Sequence, residues 1–258
     1  MSHSAAPAAV RHCDVAVIGG SAAGLAAALQ LGRQRRSVIV IDSGEPRNAP
    51  AAHMHSFLGH DGAAPDELLA AGRAEVRSYG GEILAGRCAQ ATRADDRLRI
   101  ELAGGTAILA RRIVIATGLA DDLPAIPGLG AHWGGAVIHC PFCHGFEVRD
   151  ERIVQLVTHP MGLHTAPLFR QLTDRLAVLI QPGVDADPDR IAALRAAGVD
   201  VRIAVARAVI AAADGHLTGV ELGDGTRLDA DAVVVSPRFR ARIEPFAALG
   251  LRAEAHAS

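Results

Sequence analysis

A chain of 258 residues with half its side chains hydrophobic has enough apolar material for one large α/β domain or two modest ones. Its formal net charge of −2 gives no reason to expect nucleic acid or an anionic membrane as a partner. All 26 basic positions are arginine, which excludes P-loop lysine and Schiff-base chemistry.

Residues 1–10 lack a basic segment followed by an apolar core, so no secretion signal is read and a cytoplasmic location is expected. The Ala-rich run 22–31 is too short to span a bilayer. Four cysteines do not suggest a disulfide scaffold in such a chain, and Cys13 and Cys88 are expected to be buried as small hydrophobes.

The first elements form a βαβ unit of about 30 residues. Residues 13–19 read as a strand, 24–32 as a helix and 37–41 as a second strand ending at Asp42. Arg33, Arg35 and Arg36 stand where the helix ends, where cations suit its C-terminal dipole. The turn between strand and helix, Gly19-Gly20-Ser21-Ala22-Ala23-Gly24, is a dinucleotide fingerprint. Gly19 permits the tight turn, Gly24 permits close helix–sheet packing, and the intervening N–H groups can receive a pyrophosphate. Asp42 stands where a ribose hydroxyl is expected. The middle glycine of G-x-G-x-x-G is replaced by Ser21, which is small enough to be tolerated.

Residues 66–79 read as a helix, followed by strands around Ile83, at 98–102 and at 108–110, with Gly104-Gly105 as a turn. A further strand, 113–116, runs into Thr117-Gly118, and Pro124 and Pro127 mark a linker. Beyond it the plan repeats. Strands are read at 153–157, 176–180, 219–222, 227–228 and 232–236, with helices at 162–172 and 189–197. The βαβ-plus-meander pattern occurring twice predicts an α/β fold of two Rossmann-like three-layer domains in tandem, residues 11–122 and 123–240.

Cys140-Pro141-Phe142-Cys143-His144 reads as the centre of a thiol–disulfide enzyme, because two cysteines at this spacing can close and reopen a disulfide beside a histidine that can hold a proton. Zinc is not expected: there is no second CxxC, and His139 and His144 cannot both join one tetrahedral ion with the cysteines. No metal site is expected elsewhere.

The chain resembles the low-molecular-weight thioredoxin reductase family of two-domain flavoproteins over nearly its whole length. The resemblance rests on residues 19–24, on Ala116-Thr117-Gly118, on residues 124–128, and on the CxxC followed by Gly145. It implies FAD in the first nucleotide site, with Ala116, Thr117 and Gly118 along the flavin and Ser56 in a flavin-contacting loop. It further implies that Cys143 exchanges electrons with the flavin and that Cys140 meets the external substrate. His53 and His55 precede that loop.

Three departures refine the expectation. The second turn, Val157-Thr158-His159-Pro160-Met161-Gly162, replaces the glycines that let a backbone approach a pyrophosphate. Pro160 removes a donor and Gln181-Pro182-Gly183 lacks an arginine cluster for a 2′-phosphate, so NADPH is not expected to bind. His144 replaces the family's aspartate, and this pattern is similar to the gliotoxin- and holomycin-type dithiol oxidases. Residues 241–258 read as the start of a return to the first domain, without the family's G-x-F-A-A-G-D-like flavin-contacting segment.

The function expected is therefore FAD-dependent thiol–disulfide exchange at Cys140, Cys143 and His144, oxidising dithiols without NADPH. The alternatives are an NADPH-dependent thioredoxin-disulfide reductase, reduction by a protein donor such as ferredoxin, and a non-catalytic flavoprotein remnant. The partner expected is a small-molecule dithiol or a thioredoxin-like protein, with a homodimer implied by the resemblance alone.

Overall fold

Period-two alternation builds both central sheets, and the computed structural model describes residues 10–254 of the chain. In β1 (Arg11–Ile18), Val15 and Val17 face one way and Ala16 and Ile18 the other. After helix α1 (Ala22–Arg33), strand β2 (Val38–Asp42) repeats the division, Val38 and Val40 against Ile39 and Ile41. A strand apolar on both faces must be covered on both, which is the condition for a three-layer α/β unit. Helices α1 and α2 (Pro65–Ser78) cover the valine face through Leu25, Ala28, Leu69 and Val76.

The rest of this sheet comes from β3 (Glu82–Ala85), β4 (Cys88–Ala94), β5 (Arg97–Leu102) and β6 (Ala107–Ile115). Its strand order is β3-β2-β1-β6-β5-β4. The first four strands are parallel, and β5 and β4 add antiparallel. Phe246, fully buried, packs against the isoleucine face with Ile100 and Ile108. Burying such a ring contributes about 2–3 kcal/mol.

Contacts divide the described residues into two units, 10–49 with 64–120 and 240–254, and 50–63 with 121–239. The strands that carry the chain from one unit to the other and back, β7 (Leu119–Asp122) and a final β16 (Arg238–Ala241), pair with each other.

The second unit contains β8 (Val137–Ile138), the single turn α3 (Pro141–His144), β9 (Ile153–Val157), α4 (Ala166–Arg170), β10 (Leu176–Ile180), α5 (Pro188–Ala196) and β11 (Asp200–Ile203). It continues through β12 (Ala206–Ala211), β13 (Leu217–Leu222), β14 (Arg227–Asp229) and β15 (Ala232–Val235). A parallel sheet ordered β11-β10-β9-β15-β8 carries Phe169 and Leu194 of α4 and α5 on one face. The antiparallel sheet β12-β13-β14 covers the other face through Val209, Val220 and Leu228. Arg152 locks the starts of β9 and β15 together by a forked pair to Asp231 at 2.9 and 2.5 Å, which holds that carboxyl down at about 2.

Two expectations are corrected. The strands read at 108–110 and 113–116 are one strand, β6. Arg111 and Arg112 interrupt the apolar pattern, but the backbone ladder to β1 continues through Arg112↔Val15. The helix read at 162–172 is broken into a 3-10 turn, Pro160–Leu163, and the five-residue α4. Pro160 and Pro167 each stand at the first or second position of a new helical segment, where a proline starts a helix but cannot continue one.

Candidate functional site

In the first unit the β1–α1 turn is shaped by close approach. Gly19 has φ +115, and a Cβ there would lie 2.2 Å from the Ala116 carbonyl oxygen. A Cβ on Gly24 would lie 1.8 Å from the Gly19 oxygen. Ser21 stands at the N-cap in extended conformation without bonding a helix N–H, and no acidic residue occupies the first turn of the 12-residue helix. Ser21 is half-buried, and Ala22 and Ala23 are exposed. The first N–H groups of α1 thus have no side-chain partner, and such a helix start is suited to an anion.

Asp42 lies beside this turn, since a Cβ on Gly20 would meet its Oδ2 at 2.5 Å. One carboxylate oxygen accepts from the Gly44 N–H at 2.9 Å and the other lies 3.5 Å from Arg73 Nη1. Ala116 follows β6 and donates its N–H to Ile18 O. Thr117 is half-buried and Gly118, at φ +66, is exposed. The structure therefore brings Gly19, Gly20, Ser21, Gly24, Asp42 and Ala116 to one end of the β1–β2–β6 sheet. This cradle fits the dinucleotide part of FAD: close-packed glycines, free N–H groups and an acidic side chain at the second strand end. Arg73 was not singled out in the sequence; on an amphipathic helix it reads as an ordinary surface cation.

In the second unit Cys140 and Cys143 form a disulfide with Cα atoms 5.3 Å apart. Pro141 starts α3, Cys140 is its N-cap, and the Cys143 N–H donates to Cys140 Sγ at 3.2 Å. An N–H aimed at a sulfur favours the thiolate there after reduction. Gly145 is required by packing, because a Cβ would lie 2.3 Å from Pro141 O and 2.6 Å from Leu172 Cδ1. Phe142, 72% exposed, presents an aromatic face between the two cysteines. His139 stacks on Trp133 at 5.6 Å just before them.

Ser56 does not lie in the same unit as the β1–α1 turn. Its loop, residues 50–63, belongs to the second unit, and its Oγ donates to the Phe142 carbonyl at 3.1 Å. His55 precedes it with Nε2 3.4 Å from Glu147 Oε1 and Nδ1 3.5 Å from Asp61 Oδ1. His144 is half-buried. Burial pushes it below the ordinary histidine range, Glu147 opposes that, and His55 and His53 add to it. A neutral imidazole therefore stands next to the disulfide near neutral pH. Glu147 and Asp61 were not singled out in the sequence, since their partners lie 92 and 6 positions away in the chain from His55 and carry no spacing signal.

At the end of β9 the turn that corresponds in the second repeat is filled by the chain itself. Gln155, buried, donates Nε2 to Gly162 O at 2.5 Å and lies 3.0 Å from Thr165 Oγ1. The Gly162 N–H is bound to His159 O and the His164 N–H to Met161 O. His159 Nε2 lies 3.1 Å from Ser236 O.

The family model for pyridine nucleotide-disulphide oxidoreductases matches residues 13–257. The chain belongs to that family. Membership makes it a flavin oxidoreductase acting on a sulfur group, and the resemblance to thioredoxin reductase-like proteins read from the motifs holds. It is 31% identical over 241 residues to thioredoxin reductase tcpT of Claviceps purpurea, covering 89% of this chain and 74% of that protein. It is 32% identical over 244 residues to thioredoxin reductase sirT of Leptosphaeria maculans, covering 87% and 74%. Among solved structures it is similar to HlmI, with TM-score 0.87 and 43% identity over 94% of this chain and 77% of that one. It is likewise similar to an oxidoreductase from Agrobacterium tumefaciens, with TM-score 0.87 and 36% identity over 94% and 81%. Among the described residues no helix is long and apolar enough to cross a membrane.

Proposed function

We propose that this family member is a dithiol oxidase that takes electrons from its thiol substrate and not from NADPH. The observation that carries the reading is the β9 turn. Its Gly162 and His164 N–H groups are spent on local carbonyls, Pro160 has none, and the Gln155 side chain fills the space beneath it. A pyrophosphate needs free N–H groups and a glycine backbone it can touch.

In this reading His144 takes the proton of a substrate thiol, and the thiolate attacks Cys140 Sγ. The Cys140–Cys143 bond breaks and Cys143 leaves as thiolate. The second substrate thiol attacks the sulfur bound to Cys140, closing the product disulfide and releasing Cys140 as thiolate. The electron pair has passed from the substrate sulfurs to the cysteine pair, and two protons have been released. Gly19, Gly20, Ser21, Ala22, Ala23, Gly24 and Asp42, with Ala116, Thr117 and Gly118 toward the flavin end, would hold FAD, which would supply a two-electron acceptor that dioxygen can reoxidise. Phe142 gives the pair an apolar approach that suits a small dithiol.

The similarity to the thioredoxin reductases tcpT and sirT favours a second reading, an NADPH-dependent thioredoxin reductase. One experiment separates the two. The purified protein is mixed anaerobically with dithiothreitol or with NADPH while the flavin absorbance is followed, and oxygen uptake is measured in air. Bleaching by dithiothreitol, with oxygen uptake lost in Cys143→Ser, is expected. Rapid bleaching by NADPH would overturn the oxidase reading.

A further inference from the structure

Ser56 stands in a backbone conformation that serine disfavours. Its φ is +62, in the left-handed region that glycine enters freely and most side chains avoid. Two hydrogen bonds hold it there. Its N–H donates to Asp61 Oδ1 at 2.8 Å, and its hydroxyl donates to the Phe142 carbonyl at 3.1 Å. The residue is exposed, so no core packing requires its side chain. A glycine would make the same turn without strain and keep the bond to Asp61. What a glycine could not supply is the hydroxyl.

That hydroxyl reaches the redox pair through a single peptide group. The Phe142 carbonyl and the Cys143 N–H belong to the same peptide, and this N–H donates to Cys140 Sγ at 3.2 Å. The two ends of a trans peptide point in opposite directions, so the loop can engage one while the sulfur engages the other. A donor bound to the carbonyl polarises the peptide and makes its N–H a stronger donor. Ser56 O–H, Phe142 C=O, Cys143 N–H and Cys140 Sγ thus form one chain of hydrogen bonds.

We propose that Ser56 is a positioning residue which, through the Phe142–Cys143 peptide, stabilises Cys140 as a thiolate. The inference rests on the reading of Cys140–Cys143 as the acceptor of electrons from a dithiol. Cys140 becomes a thiolate when the second substrate thiolate attacks the substrate sulfur bonded to it. The product S–S bond forms, the mixed disulfide bond breaks, and its electron pair stays on Cys140 Sγ. The Cys143 N–H is placed to receive that charge. Stabilising the reduced pair in this way makes the disulfide a stronger electron acceptor, which suits an oxidase.

Ser56→Ala and Ser56→Gly test this without altering a charge, since His55, Asp61, His144 and Glu147 stay in place in both. Each variant loses the hydroxyl. Alanine keeps the unfavourable φ and glycine relieves it, so a hydroxyl effect appears in both and a backbone effect does not. The full-length protein is equilibrated anaerobically with mixtures of reduced and oxidised dithiothreitol at about pH 9, where an ordinary cysteine is largely thiolate. After an acid quench, mass spectrometry gives the fraction of the Cys140–Cys143 pair that is still a disulfide. The equilibrium constant for reducing the pair is expected to fall about twofold to threefold in both variants, roughly 9–14 mV. Unchanged constants in both, or a fall in one variant alone, would overturn the proposal. Oxygen uptake with dithiothreitol is measured in parallel. A fall in both variants without oxygen uptake by the parent would sink the oxidase reading and leave the Ser56 link standing; uptake by the parent with unmoved constants would do the reverse.

Discussion

Gly24→Ala and Gly32→Ala place the same methyl group on the same helix, and only one of them should damage the protein. Both lie in α1, where exchanging glycine for alanine gains about 1 kcal/mol of helix propensity. At Gly32 the new Cβ meets Tyr79 Cβ at 3.1 Å, a side-chain contact that yields by a few tenths of an ångström. At Gly24 it meets the Gly19 carbonyl oxygen at 1.8 Å, whereas real Cβ atoms essentially never come within 3.0 Å of another heavy atom. The helix start must therefore move about 1.2 Å from the strand end. Gly19 cannot give way, because its own Cα faces the Ala116 carbonyl. Overpacking of this kind costs about 1–3 kcal/mol. The upper end of that range, less the helix gain, leaves Gly24→Ala about 2 kcal/mol less stable, a fall in Tm of roughly 4–8 °C for a chain of this size. It should also lose flavin, since the displaced N–H groups are those proposed to hold its pyrophosphate. Gly32→Ala should keep the parent's Tm or raise it by up to about 4 °C, and keep its flavin. Thermal unfolding and visible absorbance per mole of protein measure both. A Gly24→Ala protein with unchanged Tm and full flavin would refute the close-approach argument.

Further outcomes concern the thiols and the turn that carries them. After reduction, iodoacetamide at neutral pH should label Cys140 and Cys143 only, and four cysteines after denaturation, because burial pushes the Cys13 and Cys88 thiols up to about 11. Labelling of all four in the native protein would show the cores to be open. The same shift has a stability consequence with a definite sign. The folded state holds these protons more tightly than the unfolded chain does at the ordinary thiol value of 9.0, so the stabilisation is complete below pH 9 and is lost as pH rises to about 11. Urea unfolding across that interval should show the decline, and the decline should be shallower in Cys88→Ala; an equal slope would contradict the burial argument. Gly145→Ala should force α3 away from Leu172 and slow dithiol oxidation at least tenfold, and an unchanged initial rate would show that the turn tolerates a Cβ.

The sequence was most legible where one residue's neighbours are fixed by local geometry. The turn at 19–24, the strand end at Asp42 and the single-turn spacing of Cys140 and Cys143 could all be placed from order and period alone. Short apolar runs gave β1, β2, β9, β10 and β15 to within a residue or two. Reading failed where backbone pairing outvoted side-chain pattern, as at Arg111 and Arg112 in the middle of β6. It failed as well for β4, whose exposed Gln90 and Arg93 give no apolar stripe.

By itself the sequence determined a tandem α/β chain, a glycine-shaped first turn, a second turn without the first one's glycines, and a redox pair followed by histidine. These are set by steric limits and by bonds between residues a few positions apart, which every fold of the chain must obey. Only the tertiary structure decided that loop 50–63 lies against the cysteine turn, that Arg73 reaches Asp42, and that Glu147 and Asp61 clamp His55. Such contacts join residues up to 92 positions apart, and their strength depends on burial and on a few ångströms of separation. No local pattern encodes that distance, so the setting of His144 had to come from the fold.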